Sequence, residues 1–89
     1  MPHKKLHLEQ AISSVEHYRF IRSCMVAAGV TNAQVARDEN VRPEYVYYTL
    51  KGLRTGYRIR LAIAKAVNQP IQILWPDTPE RLWDAARPL

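Results

Sequence analysis

Between Arg42 and Lys65 the chain carries six basic residues, Arg42, Lys51, Arg54, Arg58, Arg60 and Lys65, against one acid, Glu44. The whole chain has a formal net charge of +5, so this segment holds all of the excess and the remaining residues balance. A local basic surplus beside neutral surroundings is the electrostatic footprint of a polyanionic partner; a solvated cationic face has the same composition. The segment begins with PEYVYYTLKGL, residues 43–53, in which Tyr45, Tyr47 and Tyr48 surround Val46. Aromatic and β-branched residues favour strands, but Pro at the start and Gly at the end punctuate a helix. A half-buried strand needs strict alternation, which Tyr47-Tyr48 breaks, so a helix is expected here.

At 100° per residue, with Val46 at zero, Leu50 falls at about 40° and Thr49 at about 300°, which defines an inner face. Lys51, Glu44 and Tyr48 fall at about 140°, 160° and 200° and form the outer face, with Tyr45 and Tyr47 on the flanks. Such an outer face suits the DNA major groove, which admits a helix. Glu44 is placed to accept from a cytosine amino group, or else to complement the helix dipole in the first turn. Tyr48 is placed to touch a thymine methyl or donate to a phosphate. Tyr45 and Tyr47 are expected at the core edge, with hydroxyls in reach of phosphates. Arg42, Lys51, Arg54, Arg58 and Arg60 are the expected phosphate clamps, which supply affinity and salt dependence but no sequence information. Thr31, Asn32 and Gln34 open the preceding helix and are candidates to pin a further phosphate.

Other chemistries find less support. No Gly-rich phosphate loop and no oriented nucleophile–base pair is present, so no enzyme is expected. A metal site would have to draw on His3, His7, His17 and Cys24; His3 and His7 are four apart, but the start of the chain is poorly patterned and His17 and Cys24 read as ordinary helix positions, so no metal or cofactor is expected. Cys24 is the single cysteine, which excludes an intramolecular disulfide. No stretch approaches the roughly 18 apolar residues of a membrane span, and no signal-peptide core is visible. A cytoplasmic protein with neither membrane nor small-molecule substrate is the expectation.

The elements that must position these residues are helical. MPHKKLHLEQAI, residues 1–12, has no clean period and is expected as a mobile start, with a strand or helical turn at most, or as a dimerisation segment. Ser13 and Glu16 fit a capping box, followed by an amphipathic stripe of Tyr18, Ile21, Met25 and Ala28 that stops at Gly29. Thr31 and Gln34 repeat the box, and this second helix must end near Asn40, ahead of Val41-Arg42-Pro43. Pro43 suits the first position of the third helix and Gly52 its C′ position. Ile59, Ala62, Ile63, Ala66 and Val67 form a fourth stripe. IQILW, between Pro70 and Pro76, reads as a short turn, and Thr78 and Pro79 as cap and first residue of a final helix. The expected fold is all-α, a bundle of about five helices with a central helix-turn-helix within residues 13–77. Residues 78–89 add a short helix for packing or dimerisation. Trp75 is expected to pack inward and Trp83 to anchor a dimer.

NAQVARDENVRPEYVYYTLKG resembles the helix-turn-helix of lambda-repressor-like domains without a gap, with Ala36, Asn40, Val46 and Gly52 in the family's places. AIAKAVNQPIQILWPD resembles the end of Ner-like phage and bacterial regulators, where a helix, a Pro and a terminal I/L-W-P follow the recognition helix. Together the likeness covers about residues 14 to 77. It implies a DNA-binding transcriptional regulator, typically a repressor of phage or prophage genes in a bacterial or phage-infected cell. It also implies base reading by Pro43, Glu44, Tyr45, Tyr48 and Lys51. Two departures are visible: Asn40 stands where the family usually has Gly, and three aromatics make the recognition helix bulky. Double-stranded DNA is the expected partner, and a homodimer would set two recognition helices about 34 Å apart. The rival expectation is a protein-binding module of the same fold, antitoxin-like or an anti-repressor, that uses the tyrosines as interface anchors.

Overall fold

A helix of two turns cannot persist in water on propensity alone, so short helices imply packing that holds them. The computed structural model describes the backbone of residues 3–86 and the side chains of residues 15–86. In order, it contains α1 (His3–Ala28), α2 (Asn32–Glu39), α3 (Pro43–Leu50), α4 (Tyr57–Val67), α5 (Ile71–Leu74) and a 3-10 helix (Glu80–Ala86). No strand occurs among the described residues, and the fold is all-α. No helix among them is long and apolar enough to cross a membrane.

Local backbone chemistry ends each of the first four helices in the same way. Gly29 has φ 70°, its amide reaches the Val26 carbonyl at 3.0 Å, and the Val30 amide reaches Met25 at 2.8 Å. That is the Schellman arrangement, which satisfies carbonyls that would otherwise be orphaned. Asn40 and Asn68, both at φ 56°, and Gly52 make the same pair of bonds at the ends of α2, α4 and α3. Asn tolerates the left-handed region better than other side chains, which explains how it replaces glycine at two of the four stops.

The start of α1 corrects the sequence expectation. The helix runs unbroken from His3 to Ala28, so Ser13 lies in its interior rather than at its start. The residues before Ser13 are rich in Lys, Leu, Glu, Gln and Ala, strong helix formers that carry helical angles through the Ser pair. Dimerisation through LHLEQAI, and metal binding by His3 and His7, concern side chains outside the described residues.

α4 touches every other element and is the centre of the fold. Its buried face is Ile59, Arg60, Ile63, Ala64 and Val67. The expected stripe, which included Ala62 and Ala66, is rotated by about 60°, and Ala66 is exposed. Around this face pack Ile21 and Met25 of α1, Val35 and Ala36 of α2, Val46 and Leu50 of α3, and Ile71, Leu74 and Trp75. Trp75 packs inward as expected, with 2% exposure. Trp83, expected to anchor a dimer, lies half-buried against its own chain's core, and its indole N–H donates to the Thr78 carbonyl at 3.1 Å. The closing element is 3-10 rather than α, and the buried Thr78 hydroxyl makes no hydrogen bond, so Thr78 does not act as the expected cap.

Among the described residues Arg60 is the core's one charged member, 5% exposed. Its guanidinium lies 5.5 Å from the centre of the Tyr57 ring and 5.4 Å from that of Trp75, and pairs with the exposed Asp77 carboxylate at 3.0 Å and 3.4 Å. Arginine suits such a place because its flat, weakly hydrated cation stacks on rings and matches a carboxylate through two N–H groups. Beside it the His17 ring meets Trp75 edge to face, and His17 Nε2 donates to the Leu74 carbonyl. Burial pushes the His17 imidazole below its ordinary value of 6.5; the Asp77 carboxylate opposes that shift and the Arg60 cation adds to it.

Two outcomes follow from this cluster. Asp77→Ala leaves a buried guanidinium without its carboxylate and should cost about 1–3 kcal/mol, whereas Arg60→Met removes charge at similar volume and should change stability by less than about 1 kcal/mol. Thermal denaturation checks both, at about 4–8 °C per kcal/mol for a domain of this size. The lowered His17 pKa means the folded state binds fewer protons than the unfolded one once pH falls below the imidazole's ordinary value. Stability should therefore be level, as far as His17 is concerned, above that value and decline as pH drops through the folded pKa. His17→Gln, which keeps a donor for Leu74, should flatten that part of a melting-temperature profile between pH 7.5 and 5.

Candidate nucleic-acid interface

α2 and α3 are joined by Asn40, Val41 and Arg42, and α2 packs chiefly on α3. Two local devices set the starts of these helices. The Thr31 hydroxyl accepts from the Gln34 amide at 3.1 Å and the Gln34 side-chain oxygen accepts from the Thr31 amide at 2.9 Å, a full capping box. Pro43 occupies the first turn of α3, after an extended Arg42 that carries no side-chain cap.

The inner face of α3 is as the helical wheel requires. Val46, Thr49 and Leu50 are buried at 0%, 0% and 2% exposure. Fully burying a Val or Leu contributes about 1.5–3 kcal/mol, enough for two such residues to hold a helix of this length. Thr49 avoids an unsatisfied hydroxyl by donating to the Tyr45 carbonyl at 3.0 Å. Opposite, Glu44, Tyr48 and Lys51 are exposed, as are Arg42 and Pro43 where the helix begins. Tyr45 is half-buried against the core and Tyr47 is exposed, so the flanks are unequal.

The basic residues divide. Arg54 lies with its guanidinium 4.9 Å from the Tyr45 ring centre, and with Val41, Arg42, Glu44, Tyr45 and Tyr48 it lines one open depression. Lys51 Nζ sits 4.7 Å from the ring centre of Tyr18 on α1. Arg58 is exposed but engaged: its Nε contacts the Glu39 carboxylate at 3.0 Å and its Nη2 donates to the Glu39 carbonyl, at the negative end of the α2 dipole. Arg60 does not belong to the surface at all. Expected as a phosphate clamp, it is buried and paired with Asp77, because its position on α4 falls in the middle of the helix's core-facing arc.

Thr31, Asn32 and Gln34 form a second polar cluster at the start of α2. Asn32 Oδ1 accepts from Arg22 Nη1 at 3.3 Å, which brings an additional cation to that helix end. Arg22 and Tyr18, both on α1, were not among the residues that sequence reasoning selected. Only their helical spacing was visible, and it marked Tyr18 as an ordinary stripe residue. Among the described residues no group of three or more His, Cys, Asp or Glu is placed to hold a metal ion. Compared with protein-family models, with curated proteins and with solved structures, the chain matches none.

Gly56 ties the loop that carries Arg54 to the inner face of α3. It has φ 47°, and a Cβ there would lie 2.7 Å from Thr49 Oγ1 and 3.4 Å from the Tyr45 ring. Gly56→Ala should destabilise the fold by about 1–3 kcal/mol, through backbone strain and displacement of Thr49. Gly52→Ala, where a Cβ meets nothing within 4 Å, should cost less, about 1 kcal/mol, from backbone strain alone. Denaturant titration of the two variants compares them directly.

Proposed function

We propose that the chain binds double-stranded DNA through a helix-turn-helix formed by α2 and α3, and acts as a transcriptional regulator of the phage or prophage repressor kind. One observation carries this reading. The exposed side of α3 presents Glu44, Tyr48 and Lys51 between Arg42 and Arg54, while Val46, Thr49 and Leu50 anchor the other side. A rigidly seated helix with hydrogen-bonding and apolar groups at its outer edge, flanked by cations, fits a major groove between two phosphate backbones. The resemblance of residues 14–77 to lambda-repressor-like and Ner-like domains supports the same function. In this reading Glu44 and Tyr48 face base edges, Pro43 sets the helix start near the groove, and Tyr45 bounds the depression. Arg42, Arg54 and Tyr47 reach phosphates, with Thr31, Asn32, Gln34 and Arg22 at a further backbone position. Binding as a homodimer to a palindromic site belongs to the same proposal.

The exposed pair Tyr47 and Tyr48, each 40% exposed, favours a second reading, a protein interface anchored by aromatics. The cations around that pair argue for DNA, since Lys is depleted from the centres of protein interfaces.

A mobility-shift titration on random duplex across a salt series tests the proposal. Binding that weakens steeply with salt is expected; no binding, or binding indifferent to salt, would refute it and leave the protein-interface reading. Against the duplex selected by the wild type, Glu44→Ala and Tyr48→Ala should change sequence preference. Arg54→Ala should weaken all duplexes alike and lower the salt slope by about one contact.

A further inference from the structure

The groove side of α3 is steadied from α1. Tyr18 meets Tyr47 edge to face, with ring centres 6.2 Å apart and planes at 82°, and Tyr47 meets Tyr48 at 5.9 Å and 60°. Tyr18 also takes Lys51 Nζ over its ring at 4.7 Å. One half-buried residue on a different helix thus bears on two members of the face assigned to base reading: Lys51 directly, and Tyr48 through Tyr47. Tyr18 itself packs against the core.

We propose that Tyr18 is a positioning residue for sequence selectivity: its ring fixes Lys51 and, through Tyr47, Tyr48. This rests on the DNA-binding reading above. A lysine is a point charge on a flexible four-carbon stem, and left free it neutralises any phosphate within reach. Held over a ring face, its ammonium is confined to a small region at the C-terminal end of α3. A donor confined in that way discriminates among base edges, because a wrong edge leaves it unpaired and it cannot swing to another partner without leaving the ring. Tyr47, packed edge-on between two rings, restricts Tyr48 in the same manner. The phosphate contacts on the other flank, Arg42 and Arg54, do not touch Tyr18. The affinity supplied by those two arginines is thereby separate from the ring's role, whereas Tyr47, the flank residue assigned to a phosphate, packs on it.

The test compares wild type, Tyr18→Leu and Tyr18→Phe on two probes, the duplex selected from random DNA by the wild type and an unselected duplex. Tyr18→Leu should lower the ratio of the two affinities by about tenfold, with unselected affinity and salt slope little changed. Tyr18→Phe keeps the ring and should keep the ratio. The ratio is insensitive to any loss of folded protein, since both probes meet the same active fraction. In the free protein, the Lys51 methylene protons should show upfield ring-current shifts that Tyr18→Phe retains and Tyr18→Leu abolishes. An unchanged ratio in Tyr18→Leu, with wild type still selective, overturns the positioning role alone. Equal loss on both probes in Tyr18→Phe would make Tyr18 a phosphate contact through its hydroxyl and also overturn it. Failure of the wild type to bind any duplex overturns the functional reading and this role together, and the Lys51 shifts would then mark a purely structural contact.

Discussion

The seating of α3 on the core is the constraint on which the rest depends. Eight residues cannot form a stable helix by themselves, so Val46, Thr49 and Leu50 both hold it folded and fix its rotation. Rotation is what gives Tyr48 and Glu44 an outward direction; a turn of about 100° would exchange them for buried neighbours. The middle member of that inner face is polar, and its polarity has a use. Thr49 can lie fully buried only because its hydroxyl is bonded back to Tyr45, and that compact arrangement leaves room for Gly56 to come close. The loop carrying Arg54 is therefore held at a distance from α3 set by one hydroxyl and one missing side chain. The groups proposed to carry affinity and selectivity are located by the same few atoms.

What was legible in the sequence was chemistry settled within a few residues. The stops at Gly29, Asn40 and Gly52, the Thr31–Gln34 box and the placing of Pro43 each depend on backbone groups no more than about five positions apart. The inner and outer faces of α3 were legible for a similar reason, since a helix converts spacing into direction. The false start at Ser13 marks the boundary of this kind of inference. A capping pattern stops a helix only if the chain before it leaves helical angles, and the Lys-, Leu- and Glu-rich run ahead of Ser13 has no reason to do so. Local compatibility with a cap is a weaker condition than the presence of one.

The rest lay in pairs far apart in the chain. Arg60 finds Asp77 seventeen residues on, and Arg58 finds Glu39 nineteen residues back. Counting charges assigns both arginines to a surface because composition has no record of partners. Arg60 also hides the true stripe of α4: with an arginine in the middle of the inner arc, the apolar residues alone point to an axis rotated toward Ala62 and Ala66. Its burial becomes acceptable only once Tyr57 and Trp75 supply ring faces and Asp77 an anion. Tyr18 was legible as a stripe residue and not as a neighbour of Lys51, since that contact exists only after α1 and α3 have been brought together.

These pairings change where the surplus charge lies without changing its amount. Glu39 and Asp77, both outside the basic segment, engage Arg58 and Arg60, so the cations left over in that segment are Arg42, Lys51, Arg54 and Lys65. Three of the four stand around the outer side of α3, with Glu44 among them. A carboxylate in a helix's first turn gains about 0.3–1 kcal/mol from the dipole. Against a phosphate about 4 Å away it would lose a comparable amount even in water, and more where water is excluded. The dipole alone therefore does not favour Glu44 in a face that meets a polyanion. Its position is favourable if the carboxylate points past the phosphates to a base-edge donor while Arg42 and Arg54, lining the same depression, compensate its charge. An acid placed in this way would repel most sequences and accept a few, and in the proposed DNA-binding role it would give selectivity to a face made otherwise of cations and rings.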